Sequence, residues 1–149
     1  MKISAAREGD FDRIVEIWES SVRATHSFLS EADINFYRPL IRNQYLYNVW
    51  LFTAVDDSGR ISAFMGLSPE EENNPARLEM LFVEAEAQRQ GQGRLLVNHA
   101  LGLYGTLELE VNEQNPGARL FYEKMGFVLT GREEVDGQGR PFPLLKMRR

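Results

Sequence analysis

The 149-residue chain contains no cysteine. Disulfides, thiolate-bound zinc and covalent catalysis through a cysteine nucleophile are therefore excluded. Histidine is nearly as scarce. His26 and His99 are the only two, too few for a zinc centre built on imidazoles, so no metal is expected. Long apolar runs are missing as well. None approaches the roughly 20 residues that a membrane-crossing helix requires. The first residues, MKISAAREGDFDR, lack the apolar core of a secretory signal. The expectation is a cytoplasmic protein with no membrane partner. Positive charge is in deficit: 17 Lys and Arg against 22 Asp and Glu leave a net charge of −5. That balance argues against a nucleic-acid partner. Linker-like, low-complexity and repeated segments are absent, so residues 1–149 read as a single domain. What is there is ordinary globular composition, 43% hydrophobic and 26% charged. A chain of this length buries about 70% of the surface its unfolded form exposes.

Periodicity divides the chain into alternating strands and helices. Lys2 to Ala6 reads as a short strand. Phe11, Ile14, Val15, Trp18 and Val22 recur at helical spacing, with Asp10 placed to cap the helix. Ser30 to Asn43 reads as a second helix, opened by a Ser30/Asp33 capping box and broken or kinked at Pro39. Asn48–Val55 and Arg60–Leu67 are β-rich runs around the turn Asp56-Asp57-Ser58-Gly59, and Arg77–Val83 is a third strand. Arg94–Leu103 reads as a helix with Leu95, Leu96, His99 and Leu103 near one face. Thr106–Val111 alternates as a strand. Asn115-Pro116 opens a further helix that Gly126 ends. Phe127–Glu134 and Phe142–Met147 form two last strands around Asp136-Gly-Gln-Gly139. The order β-α-α-β-β-β-α-β-α-β-β gives an α/β (α+β) fold, a mixed sheet of six to seven strands. About four helices cover its two faces. The unit from Arg77 to Val111 is a right-handed crossover between parallel strands.

Chemistry concentrates after the fourth and fifth of these strands. Gln88-Arg89-Gln90-Gly91-Gln92-Gly93 links a strand to a helix. Its glycines let backbone N–H groups converge, and the helix N-terminus adds partial positive charge, which suits phosphate oxygens. A plain tight turn is the alternative. The loop is no Walker motif, because no Gly-Lys-Ser/Thr follows. Leu96 also stands where a dinucleotide fingerprint needs its third glycine. The second segment is Asn115-Pro-Gly-Ala118-Arg-Leu-Phe121-Tyr122-Glu-Lys-Met-Gly126-Phe127. With these two segments the chain resembles the GNAT superfamily of acetyl-CoA-dependent N-acetyltransferases. Trp18, the Ala24-Thr25-His26 stretch and the tail from Val135 to Leu145 look like its small bacterial YjaB-type members.

The resemblance implies a mostly antiparallel sheet in which two parallel strands, Arg77–Val83 and Thr106–Val111, splay apart. It implies that the pantetheine arm of acetyl-CoA lies in the opening, against the backbone of Leu81, Phe82 and Val83. The pyrophosphate then meets Gln88, Arg89, Gln90, Gly91, Gln92, Gly93 and Arg94. Asn115, Ala118 and Phe121 contact the rest of the arm, and Tyr122 points at the thioester sulfur. Arg89 and Arg94 either pair with phosphates or are surface charges.

The residues themselves allow the following roles. Aminolysis of a thioester expels a thiolate, which a phenol of pKa near 10 can protonate; Tyr122 is that acid or else a core aromatic. Phe121 and Tyr122 cannot both face one side of a helix. An ammonium has no lone pair, so a base is needed. Glu79 is the first candidate, on a strand face shared with Leu81 and Val83 and opposite Leu78, Met80 and Phe82. Its alternative is a salt bridge with Arg77. His26 and its neighbours Thr25, Ser27 and Phe28 lie where this superfamily shapes its acceptor site, with a structural histidine as the other reading. His99 and Trp18 read as packing residues, and Glu70-Glu71-Glu72 as a solvated loop. Without cysteine, transfer is direct within a ternary complex, with the oxyanion held by backbone N–H groups near Phe82 and Val83. The acceptor is a primary amine: a protein lysine, an N-terminus or a small amine. The rival reading is an inactive CoA-binding regulatory module. Monomer and homodimer both stay open.

Overall fold

The stripe of residues 11–22 forms the helix it predicts, and the remaining elements follow in the expected order. The computed structural model describes residues 1–149. In chain order the elements are β1 (Lys2–Ala5), α1 (Phe11–Thr25), α2 (Glu31–Asn43), β2 (Trp50–Val55) and β3 (Ile61–Ser68). They continue with β4 (Ala76–Val83), α3 (Gln92–Tyr104), β5 (Leu107–Asn112), α4 (Pro116–Lys124), β6 (Val128–Glu133) and β7 (Leu144–Arg148). No helix is long and apolar enough to cross a membrane.

One seven-stranded sheet has the order β1-β2-β3-β4-β5-β7-β6. Every pairing is antiparallel except β4 with β5, the strands joined through α3. Helices α1 and α2 cover one face, over a core of Ile14, Ile17, Trp18, Ile34, Ile41 and Phe64. Helices α3 and α4 cover the other, over Met65, Leu67, Leu96, Val97, Leu107 and Met147. Trp18 is a core residue, 4% exposed. His99 packs its ring 5.1 Å from that of Phe52.

Four local expectations need correction. Asp10 does not cap α1; its carboxylate accepts from the backbone N–H of Arg7, closing a short turn ahead of the helix. Pro39 does not break α2, which runs through Asn43 from the Ser30/Asp33 capping box. The carbonyl that Pro39 leaves unbonded belongs to Asn35, and both residues are exposed, so water can serve it. On α3 the buried stripe is Leu96, Val97 and Ala100, while Leu95 and Leu103 are 37% and 50% exposed. Neighbouring leucines at 95 and 96 fit two stripes equally well, and only the sheet selects between them.

The fourth correction concerns β4. Gly66 of β3 faces Met80, but Leu67 faces Leu78, so Glu79 has no partner across the ladder. This is a β-bulge, and it inverts the alternation of side chains. Ala76 and Leu78 join the α3/α4 core together with Leu81 and Val83, whereas Met80 and Phe82 pack toward α1 and α2. Leu78 therefore does not share a face with Met80 and Phe82. Gly66 is required here: a Cβ on it would come within 2.9 Å of Val49 and 3.4 Å of the Met80 Cβ.

Candidate active site

Three residue pairs hold β4 to β5: Ala76–Leu107, Arg77–Glu108 and Leu78–Leu109. Beyond them β4 keeps only β3 as partner, and β5 keeps only β7. The parallel strands thus splay, as the resemblance implied, and leave one edge of β4 without a neighbour. A cavity of about 440 Å³ opens in the gap. Its walls include Leu81, Phe82 and Val83 from β4, and Asn115, Ala118, Phe121 and Tyr122 from α4 and its cap. Gln88, Arg89, Gly91, Gln92, Gly93 and Arg94 close one end, and Glu79 and His26 stand at another side. Gln90 does not line the cavity; its amide is directed back to the Glu86 carbonyl. Phe28 does not line it either, packing instead between the rings of His26 and Phe142.

The loop before α3 is shaped by two left-handed residues. Arg89 has φ 64° and Gly91 has φ 87°. Alternating handedness makes successive N–H groups point to one side, the geometry of an anion nest. Arg89 holds that conformation despite its Cβ, a local strain of order 1 kcal/mol or more. The first N–H groups of α3 have no helical acceptor and face the same region. Gln92 is 3% exposed and donates to the Ser62 hydroxyl at 2.7 Å, fixing the helix start on β3.

Asn115 caps α4, its side-chain oxygen accepting from the Ala118 N–H at 3.2 Å. Phe121 and Tyr122 both reach the cavity, as the resemblance implied, though from different sides of the helix. Adjacent helical positions lie about 100° apart, and a cavity that wraps around the helix start accommodates both rings, 5.1 Å apart. Tyr122 is 8% exposed. Burial alone pushes its phenol above the ordinary value of 10, and no hydrogen bond contributes.

Glu79 accepts from Arg77 at 3.0 Å and from the Ser68 hydroxyl at 3.3 Å. Arg77 also bonds Glu110 at 2.9 Å. The Arg77 contact considered from sequence is therefore present, while the bulge turns Glu79 out of the ladder and onto the cavity rim. His26 follows α1 directly. Burial lowers its pKa to about 4. Its Nδ1 lies 2.7 Å from the Thr25 hydroxyl, which also lies 2.8 Å from the Ser21 carbonyl. The His26 ring sits 5.2 Å from that of Phe28 and 6.4 Å from that of Phe82.

A second cavity of about 220 Å³ adjoins the first. His26, Glu79, Met80, Phe82 and Asn112 line both, so they form the common mouth. The second cavity is walled by Trp18, Tyr37, Tyr45 and Phe142, with Asp136 among them. Asp136 accepts from the Tyr37 hydroxyl, and Arg140 bonds Asp33 at 2.6 Å, so the β6–β7 loop is tied down over α2. Thr25, placed near the acceptor site by the resemblance, lines the long cleft, whereas sequence reasoning missed Tyr37, Tyr45, Asn112 and Asp136 as site residues. Tyr37 and Asp136 lie 99 positions apart, and nothing local joins them. The Asp136-Gly-Gln-Gly139 run was legible only as a turn.

Comparison with known proteins adds the following. The family model described as an acetyltransferase (GNAT) domain matches residues 31–148. The peptidyl-lysine N-acetyltransferase YjaB of Salmonella typhimurium is 40% identical over 147 residues, covering 99% of this chain and 97% of that protein. Its namesake in Escherichia coli is 38% identical, covering 99% and 95%. The solution structure of the apo form of Escherichia coli YjaB superposes with a TM-score of 0.87 at 39% identity, covering 99% of this chain and 97% of that one.

Proposed function

The chain belongs to the GNAT acetyltransferase family and is an N-acetyltransferase; from that premise we propose that it acetylates the ε-amine of a protein lysine, taking the acetyl group from acetyl-CoA by direct transfer. The observation that carries this reading is the shared mouth. A long cleft with an anion nest at one end meets a shorter aromatic cavity at His26, Glu79, Met80, Phe82 and Asn112. The long cleft suits an extended arm ending in a diphosphate. The short one suits an aliphatic stem with a cationic tip, because its rings cover methylenes and its carboxylates attract an ammonium. The names of the two curated relatives support lysine over other amines.

The residue roles follow. The backbone of Leu81–Val83 pairs with the pantetheine amides along the vacant edge of β4. Gln88, Arg89 and the residues from Gly91 to Arg94 hold the pyrophosphate, and Asn115, Ala118 and Phe121 flank the arm. Glu79, directly or through water, takes one proton from the amine. Backbone N–H groups near Phe82 and Val83 hold the oxygen that gains charge as the nitrogen attacks the thioester carbon. As the C–S bond breaks, Tyr122 gives its proton to the departing sulfur. The nitrogen sheds its second proton to solvent as the amide forms, Glu79 passes its own to solvent, and solvent returns one to Tyr122 as the amide and the CoA thiol leave.

The test is CoA release from acetyl-CoA with a panel of acceptors. One peptide carries a free lysine and a blocked N-terminus, a second the reverse, and a polyamine completes the set. The lysine peptide is expected to react fastest. Fastest release with another amine refutes lysine as the acceptor. No release with any amine, while CoA still raises the melting temperature, refutes the catalytic roles of Glu79 and Tyr122.

A further inference from the structure

The proton arrangement around His26 fixes more than its position. Thr25 has a single hydroxyl hydrogen, and the Ser21 carbonyl 2.8 Å away accepts it, the back-bond of a Thr to the carbonyl four residues earlier. That hydrogen cannot also serve His26. The 2.7 Å contact between Thr25 Oγ1 and His26 Nδ1 therefore needs its proton from the imidazole. Nδ1 carries the hydrogen, and the lone pair belongs to Nε2. Nε2 has no protein partner and is not sealed in the interior, while His26 borders both cavities at their common mouth.

We propose that Thr25 is a positioning residue: it locks His26 as the Nδ1–H tautomer, so that the Nε2 lone pair accepts one N–H of the incoming primary amine. This rests on the lysine-acetyltransferase reading above. A neutral primary amine has two N–H bonds and one lone pair. Holding an N–H at the His26 side of the mouth leaves the lone pair free to turn toward the thioester. Burial among Phe28 and Phe82 keeps the ring neutral, so it neither repels a cationic side chain nor loses its acceptor. The opposite tautomer would present a donor to a donor.

The tautomer is read directly from the imidazole nitrogen resonances of the ¹⁵N-labelled protein. The wild type is expected to show a pyrrole-type Nδ1 and a pyridine-type Nε2. The reverse pattern overturns the proposal, whatever the enzyme acetylates. In Thr25→Val the Nδ1–H signature is expected to weaken, and Thr25→Ser, which keeps the hydroxyl, to restore it. Binding is read without turnover: n-butylamine titrated into the CoA-bound wild type is expected to move the Nε2 resonance, and an unmoved resonance overturns the amine contact. For turnover, kcat/KM for the lysine peptide should fall roughly tenfold in Thr25→Val, the scale of one lost hydrogen bond, with KM for acetyl-CoA unchanged. Wild-type kcat/KM in Thr25→Val overturns the positioning role. Failure of the lysine peptide alongside a responsive Nε2 would count against the acceptor assignment instead.

Discussion

Replacing Tyr122 by phenylalanine removes one oxygen and leaves the ring, which makes it the sharpest test of the acid assignment. The ring packs edge-on against Phe121 and Phe127, with centroids 5.1 and 5.6 Å away, and those contacts survive the change. No hydrogen bond is lost, because burial is the only influence on the phenol. A buried hydroxyl without a partner costs a protein about 1–3 kcal/mol, less where water in a cavity can reach it. Tyr122→Phe should therefore be as stable as the wild type, or more stable by up to about 1 kcal/mol. Turnover should move the other way. Loss of a general acid slows catalysis by roughly 10²–10⁴-fold, or about 2.7–5.4 kcal/mol of barrier. The raised pKa has a sign consequence: the phenol stays protonated through the whole neutral range, so its ionisation adds no falling limb to the rate below about pH 10. Three measurements close the argument: CoA release at saturating acetyl-CoA and peptide, CoA affinity by calorimetry, and denaturant unfolding. Equal turnover refutes the role. A stability loss above about 1.5 kcal/mol, or lost CoA affinity, would show instead that the hydroxyl supports the fold or the cleft.

Other expectations concern the neighbouring groups. An alkyl ammonium of pKa near 10.4 is neutral in only about one part in 2,500 at pH 7, so Glu79→Gln should lose activity near neutrality and recover as pH rises; pH profiles parallel to the wild type would retire Glu79 as the base. A Cβ on Gly93 would lie 3.4 Å from Phe121 and 3.9 Å from Val83, both cavity walls. Gly93→Glu should therefore set a carboxylate against the phosphates and weaken CoA binding at least about 100-fold, since like charges some 4 Å apart repel by about 4 kcal/mol; unchanged calorimetric affinity would displace the phosphate site from this loop. His26 has a folded pKa of about 4 against an ordinary 6.5. Between those values the unfolded chain binds the extra proton, so folding weakens as pH falls from 6.5 toward 4, by about 2 kcal/mol at pH 5. His26→Gln should lack that component in unfolding series at pH 7 and 5, and an equal loss in both proteins would contradict it.

Legibility in the sequence followed the range of the interaction. The Ser30 capping box, the Pro116 start and the Gly126 stop are local, and each could be read directly. The splay between β4 and β5 and the wall residues of the long cleft were accessible only through the family resemblance that two spaced motifs carry. The bulge at Glu79 was not, because one residue inserted into a ladder changes no composition and no local pattern. It becomes visible only against Gly66 on the partner strand. Nor was the short cavity legible, since its floor comes from α2 and its cover from a loop nearly 100 positions later. The Thr25–His26 pair was adjacent in sequence all along, but the direction of its proton depends on the Ser21 carbonyl one helical turn back.

The gap between β4 and β5 gives the protein an open sheet edge at its centre instead of at its rim. Four strands lie on one side and three on the other, hinged by three residue pairs. An ordinary exposed edge invites another chain to pair with it. Here that edge is flanked by side chains of α3, α4 and the loops that precede them. On the proposed placement the cofactor would act as a removable eighth strand, and a ligand that binds only the folded state adds stability with its concentration, about 2.7 kcal/mol at a hundred times its dissociation constant. In a cell that triages marginally stable chains, the lifetime of this protein would follow the supply of CoA and its thioesters. Abundance would then be set by metabolic state before a single acetyl group is moved.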